Sequence, residues 1–185
     1  DIAVGAMTIL YSVMQFALLP MQGVSLGAQP ILSYNYGAGN VARVKKTFRL
    51  LLTVSLSYTI LLWAFIQLFP GVFARMFSSD AALIAFTAKA LRVYCAALFI
   101  FGVQTACQMA FVSIGYAGCS IFVAVLRKFI LLLPLIYLVP IFTPDKTMGV
   151  YLTEPIADAI AVSSTAAIFF FQFRKAMKKL EAAKK

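Results

Sequence analysis

Histidine is absent from all 185 residues, which removes histidine-based zinc, haem and catalytic-triad chemistry together. Acids are nearly as scarce, with six Asp and Glu against sixteen Lys and Arg. Charged residues make up only 12% of the chain, about half of what a soluble domain usually carries. The three cysteines, Cys95, Cys107 and Cys119, recur at twelve-residue spacing in apolar sequence without any CxxC pattern. They read as small hydrophobes in packing rather than as metal ligands. An intramembrane hydrolase would need a nucleophile and a base within reach of one another, and a paired-aspartate enzyme would lack its second deep aspartate. No catalytic residue, metal site or organic cofactor is therefore expected, and the protein reads as a non-enzyme.

What the chain has instead is apolar surface, 63% of its residues being hydrophobic. Each bilayer crossing takes about 20 mostly apolar residues, and only helices or closed barrels pair their backbone groups well enough to span. Barrel strands alternate apolar and polar residues, whereas residues 121–142 are apolar on all sides. The expectation is an all-α integral membrane protein of about five transmembrane helices, at residues 7–36, 48–69, 91–114, 121–142 and 149–173, followed by a basic tail at 174–185. The third crossing is expected to follow a short amphipathic stretch near 78–89. Pro20, Gly23, Gly27 and Pro30 predict a bend or partial unwinding in the first, because proline removes a donor and crowds the preceding turn.

The formal charge of +10 belongs to the ends of apolar runs, not to a soluble face, so it points to membrane topology and not to nucleic acid. Arg43, Lys45, Lys46 and Arg49 follow the first crossing without an acid, and Arg174, Lys175, Lys178, Lys179, Lys184 and Lys185 follow the fifth with only Glu181 among them. Lys and Arg favour the cytoplasmic side, which predicts a multi-pass protein of the cell membrane with a cytoplasmic carboxy terminus and Asp1 outside. A first residue that is Asp, with no export signal before it, reads as a piece of a longer chain.

Polar side chains inside the spans mark candidate sites. Gln15, Gln22, Gln29 and Tyr36 recur every seven residues and so share one stripe of the first helix. An unpaired amide in hydrocarbon is costly, so the stripe is expected to face other helices or a wet substrate cavity. Gly23 and Gly27 form a GxxxG motif that permits close helix approach. Gln104 and Gln108, with Thr105, form a second polar patch, readable either as packing contacts or as cavity wall.

Glu154 and Asp158 stand four residues apart on one face of the fifth helix, with Pro155 between them. Asp158 lies roughly 13 Å below Gly149 at helical rise. Intramembrane acids commonly mark ion paths or proton relays. Arg127 enters the fourth helix from the other side, at a depth expected to differ from that of Asp158 by roughly 10 Å. It is therefore expected to snorkel towards headgroups rather than to pair with the acid.

Three stretches, GAQPILSYNYGAGN at 27–40, LRKFILLLPLIYLVP at 126–140 and GVYLTEPIADAIAV at 149–162, together resemble the carboxy-terminal lobe of multidrug and toxic compound extrusion (MATE) transporters. The first is similar to the end of that family's eighth helix, and the others to its eleventh helix and the start of its twelfth. The resemblance implies part of a twelve-helix, two-lobe antiporter that exports cationic or amphipathic compounds in exchange for sodium ions or protons. It also implies a missing amino-terminal lobe as partner, alongside the bilayer and a drug-like substrate. Family cation sites on the first and seventh helices fall outside this chain, and the tenth offers Gln104 and Gln108 but no carboxylate. Glu154 and Asp158 thus stand as ion-coupling candidates on their own chemistry. Two alternatives are a lipid-linked oligosaccharide flippase of the same superfamily, which should show a large basic cavity, and a fragment inactive on its own.

Overall fold

The computed structural model describes residues 2–182; the expectations for Asp1, Lys184 and Lys185 lie outside the described residues. Those described form an all-helical bundle without a strand. Helix α1 is Ile2–Gly37 and α2 Val41–Leu68, followed by the short α3, Pro70–Arg75. Helices α4, Ala81–Tyr94, and α5, Phe101–Ser113, are joined through a 3-10 turn at Leu98–Ile100. Helix α6, Ala117–Val125, runs through a π-helical stretch, Leu126–Leu132, into α7, Leu133–Phe142, and α8 is Lys146–Ala182. Four helices are long and apolar enough to cross a membrane, or five if the bent pair α4 and α5 forms one span.

The first helix does not unwind at its prolines, contrary to the expectation from Pro20 and Pro30. Proline at 20 deprives the turn before it of a donor. The Tyr58 hydroxyl of α2 fills in there by donating to the Ala17 carbonyl at 2.5 Å. Neighbouring helices commonly re-satisfy freed backbone groups in this way.

The third crossing also differs from the expected 91–114. It begins at Ala81, and its two halves meet at 48°. Neither proline nor glycine stands at the break. Instead α2 binds the loosened carbonyls: Gln67 Nε2 donates to Arg92 O at 2.9 Å, Trp63 Nε1 to Ala96 O at 3.1 Å and Thr59 Oγ1 to Phe99 O at 3.2 Å. Thr59, Trp63 and Gln67 are spaced by four and so lie along one face of α2. Just past the break, Gly102 lets α5 touch α2. A Cβ there would fall 2.6 Å from the Ser55 backbone carbonyl.

The expected separate tail is, as far as Ala182, a continuation of α8. Lys45 Nζ of α2 and Glu181 Oε1 of α8 lie 3.1 Å apart, which puts the two basic segments at one end of the bundle. Two apolar clusters fill the ends. Leu32, Leu51, Phe111, Phe169 and Met177 pack at the basic end, and Leu10, Ile66, Leu91, Leu98 and Tyr151 at the other. Between them, each long helix buries a polar side chain: Ser25 on α1, Ser55 and Thr59 on α2, Gln104 on α5 and Asp158 on α8.

Candidate functional site

The strongest concentration of charge inside the bundle forms where α8 meets the π-helical stretch. Arg127 Nε donates to Asp158 Oδ1 at 2.5 Å, and its Nη2 donates to Glu154 Oε1 at 3.1 Å. Lys128 Nζ stands 3.8 Å from the same Glu154 oxygen. The side chains are well enclosed, at 6% exposure for Asp158, 14% for Glu154 and 19% for Arg127, while Lys128 is 54% exposed. The aromatic face of Phe101, on α5, lies 4.9 Å from the Arg127 guanidinium carbon. At the end of α4, the buried Tyr94 stands within electrostatic range of both acids, and the buried Cys95 within range of Asp158.

This geometry corrects the expectation that Arg127 turns away to the headgroups. The hairpin between α7 and α8 is tight, because Gly149 carries no Cβ. One there would lie 2.9 Å from the Pro140 Cα and collide with the Thr143 hydroxyl. Asp145 closes the turn by accepting from the backbone N–H groups of Thr147 and Met148. Counted equally outward from Pro144, Arg127 is level with Ala161, three residues beyond Asp158. That is a rise of only about 5 Å, within an arginine's reach. Once there, a fork of guanidinium donors satisfies two carboxylates at once, which a lysine's point charge does less well. Two cations facing two anions leave the cluster close to neutral, which makes such groups tolerable in an apolar layer.

The other candidates are dispersed. Gln15 and Gln22 lie on the outside of this bundle and Gln29 is half-buried; Gln15 Nε2 donates to the Tyr11 hydroxyl at 3.1 Å. None of the three hydrogen-bonds to the Arg127 cluster. Gln108 is half-buried, whereas Gln104 is 2% exposed. Its Oε1, like the hydroxyls of Ser25 and Ser55, is buried without a hydrogen-bond partner. The residues missed from sequence are Arg127 as a partner of the acids and the series Thr59, Trp63 and Gln67, whose regular spacing was the legible signal.

Compared with known proteins, the MatE family model matches residues 1–138. A MATE transporter crystallised in the bent conformation superposes with a TM-score of 0.90 at 17% identity, over 98% of this chain and 40% of that one. The MATE multidrug transporter DinF-BH, solved as a complex with a small molecule, gives 0.82 at 28% identity over 96% of this chain and 39% of that one. VcmN of Vibrio cholerae in its bent form gives 0.84 at 17% identity, over 98% and 40%. The chain thus spans about two fifths of the length of the transporters it resembles. A comparison with curated proteins found no match.

Proposed function

The chain belongs to the multidrug and toxic compound extrusion (MATE) family, and on that premise we propose that it supplies helices eight to twelve of a two-lobe antiporter exporting cationic or amphipathic compounds. An amino-terminal lobe completes the transporter, and the isolated chain is inactive. The basic end formed by α2 and α8 faces the cytoplasm of the cell membrane, in keeping with the positive-inside bias. The outward stripe of Gln15, Gln22 and Gln29 then lines the substrate cavity shared with that second lobe, and Gln104 and Gln108 its inner wall.

The observation that carries the energetic half of this reading is Arg127 bridging Glu154 and Asp158 between otherwise apolar helices. Alternating access needs a group whose occupancy differs between the inward-facing and outward-facing states, because a ligand shifts an equilibrium only through differential affinity. A carboxylate held by an arginine meets that need. When the helices shift and the pair opens, the freed carboxylate takes up a proton or sodium ion, and it gives the ion up when Arg127 returns. A lipid-linked oligosaccharide flippase is less well supported. Arg127 and Lys128 are the basic groups inside the spans, and both are already directed at carboxylates.

The test is ion-driven efflux by the full-length transporter carrying Asp158→Asn, measured at several pH values and sodium concentrations. The asparagine keeps the shape and loses the charge, so drug binding and membrane insertion are expected to survive while efflux loses its ion dependence. Efflux equal to the parent in both Asp158→Asn and Glu154→Gln would move coupling to the other lobe.

A further inference from the structure

A cleft of about 380 Å³ opens between α2, α5 and α8 at the basic end. Its wall is aromatic. Phe48, Phe169 and Phe173 stack with ring centroids 4.5 to 5.2 Å apart, and Val103 and Ala166 complete the apolar lining. Its rim is cationic, carrying Lys45, Arg49 and Arg174. Lys45 and Arg49 are one turn apart on α2, with Phe48 between them in sequence, so ring and charges point to the same cleft. Arg174 directly follows Phe173 and is held with its guanidinium carbon 5.1 Å from the Phe170 ring. Lys45 is paired with Glu181, but among the described residues neither Arg49 nor Arg174 is within ion-pair distance of a carboxylate.

We propose that this cleft seats one anionic phospholipid, with its phosphate between Arg49 and Arg174 and the upper part of an acyl chain along the phenylalanine wall. The rim lies where α2 begins and α8 leaves its apolar segment, which is headgroup level, and the cleft descends from there towards Val103 and Ala166. Basic pockets between helices at a membrane surface select anionic headgroups. A cationic drug would be repelled by three cations. Free phosphate would gain nothing from the aromatic wall, and two exposed arginines alone would hold it weakly. A bound lipid would tie α2 to α8 beside the stacked rings, at the end of the bundle opposite the break between α4 and α5.

The test uses the purified full-length transporter in non-ionic detergent, titrated with phosphatidylglycerol, with bound lipid counted by native mass spectrometry. Arg49→Gln combined with Arg174→Gln is expected to weaken binding roughly thirtyfold, at about fivefold per cation near a headgroup. The charge-matched pair Arg43→Gln with Lys178→Gln, exposed at the same end but outside the cleft, is expected to change it by less than about threefold, as screened charges do. Ala166→Trp fills the cleft with every cation intact and is expected to abolish the tight site; if that variant does not fold, Val103→Phe repeats the test from another wall. Equal losses in the two charge pairs would overturn the proposal in favour of diffuse attraction. Full binding in the cleft-filling variant, or displacement of the lipid by equimolar inorganic phosphate, would overturn it as well.

Discussion

Replacing Arg127 by methionine keeps most of the side chain's volume and removes both of its charged contacts. Asp158, at 6% exposure, is then left without a cation within 4 Å, while Glu154 keeps Lys128 at 3.8 Å. Removing one partner of a buried pair typically costs about 3–5 kcal/mol, because the other charge stays buried and uncompensated. An orphaned carboxylate escapes part of this by taking a proton, which for an ordinary aspartate at pH 7 costs about 4 kcal/mol. Together these place the destabilisation of Arg127→Met at about 3 kcal/mol. Protonation becomes cheaper as pH falls, so the loss should shrink to below about 2 kcal/mol at pH 5. The assay is detergent-titration unfolding of the full-length transporter in mixed micelles, run as a cycle of Arg127→Met, Asp158→Asn and the double variant. The double variant removes the orphan and is expected to recover at least half of the loss. Additivity of the two single changes to within about 0.5 kcal/mol would refute the coupling between these side chains.

Two further outcomes test the frame around the site. Gly102→Ala drives a methyl into the Ser55 backbone and is expected to cost about 1–3 kcal/mol, as overpacking does, whereas Gly118→Ala meets nothing within 4 Å and should be near neutral; equal unfolding midpoints for the two would refute the close α2–α5 approach. In a background with the half-buried Cys119 replaced by serine, Arg43→Cys and Lys179→Cys should both react with a membrane-impermeant thiol reagent from the cytoplasmic side only, and labelling from opposite sides would overturn the orientation.

Much of the membrane character was legible in the chain, because hydrocarbon imposes a simple rule. A segment either supplies about 20 apolar residues and satisfies its own backbone or it does not span. The long runs around 121–142 and 149–173 announce themselves on that ground, and so does the isolation of Glu154 and Asp158 within one of them. The family was legible as well, since the three stretches at 27–40, 126–140 and 149–162 keep their order and spacing.

The bends were less legible, because they depend on partners. Two prolines in α1 suggested an unwinding that Tyr58 of α2 helps to prevent. No breaker residue marks 95–100, yet the helix turns by 48° there, where α2 side chains bind its carbonyls. Local composition states what a backbone segment prefers, whereas the energy of an unpaired carbonyl in an apolar layer is decided by which donor a neighbouring helix presents.

Composition and hydrophobic pattern by themselves determined that this chain is a helical membrane protein, which residues are costly to bury, and which ends carry positive charge. Only the tertiary structure decided that Arg127 reaches the two acids instead of the headgroups. Depth counted along separate helices misses the register between them, and that register is set by the tight turn at Pro144, by Gly149 lying against Pro140 and Thr143, and by the π-helical stretch that carries Arg127. An ion pair inside a membrane is a contact between helices, and its existence rests on a few ångströms of axial offset that no single helix encodes.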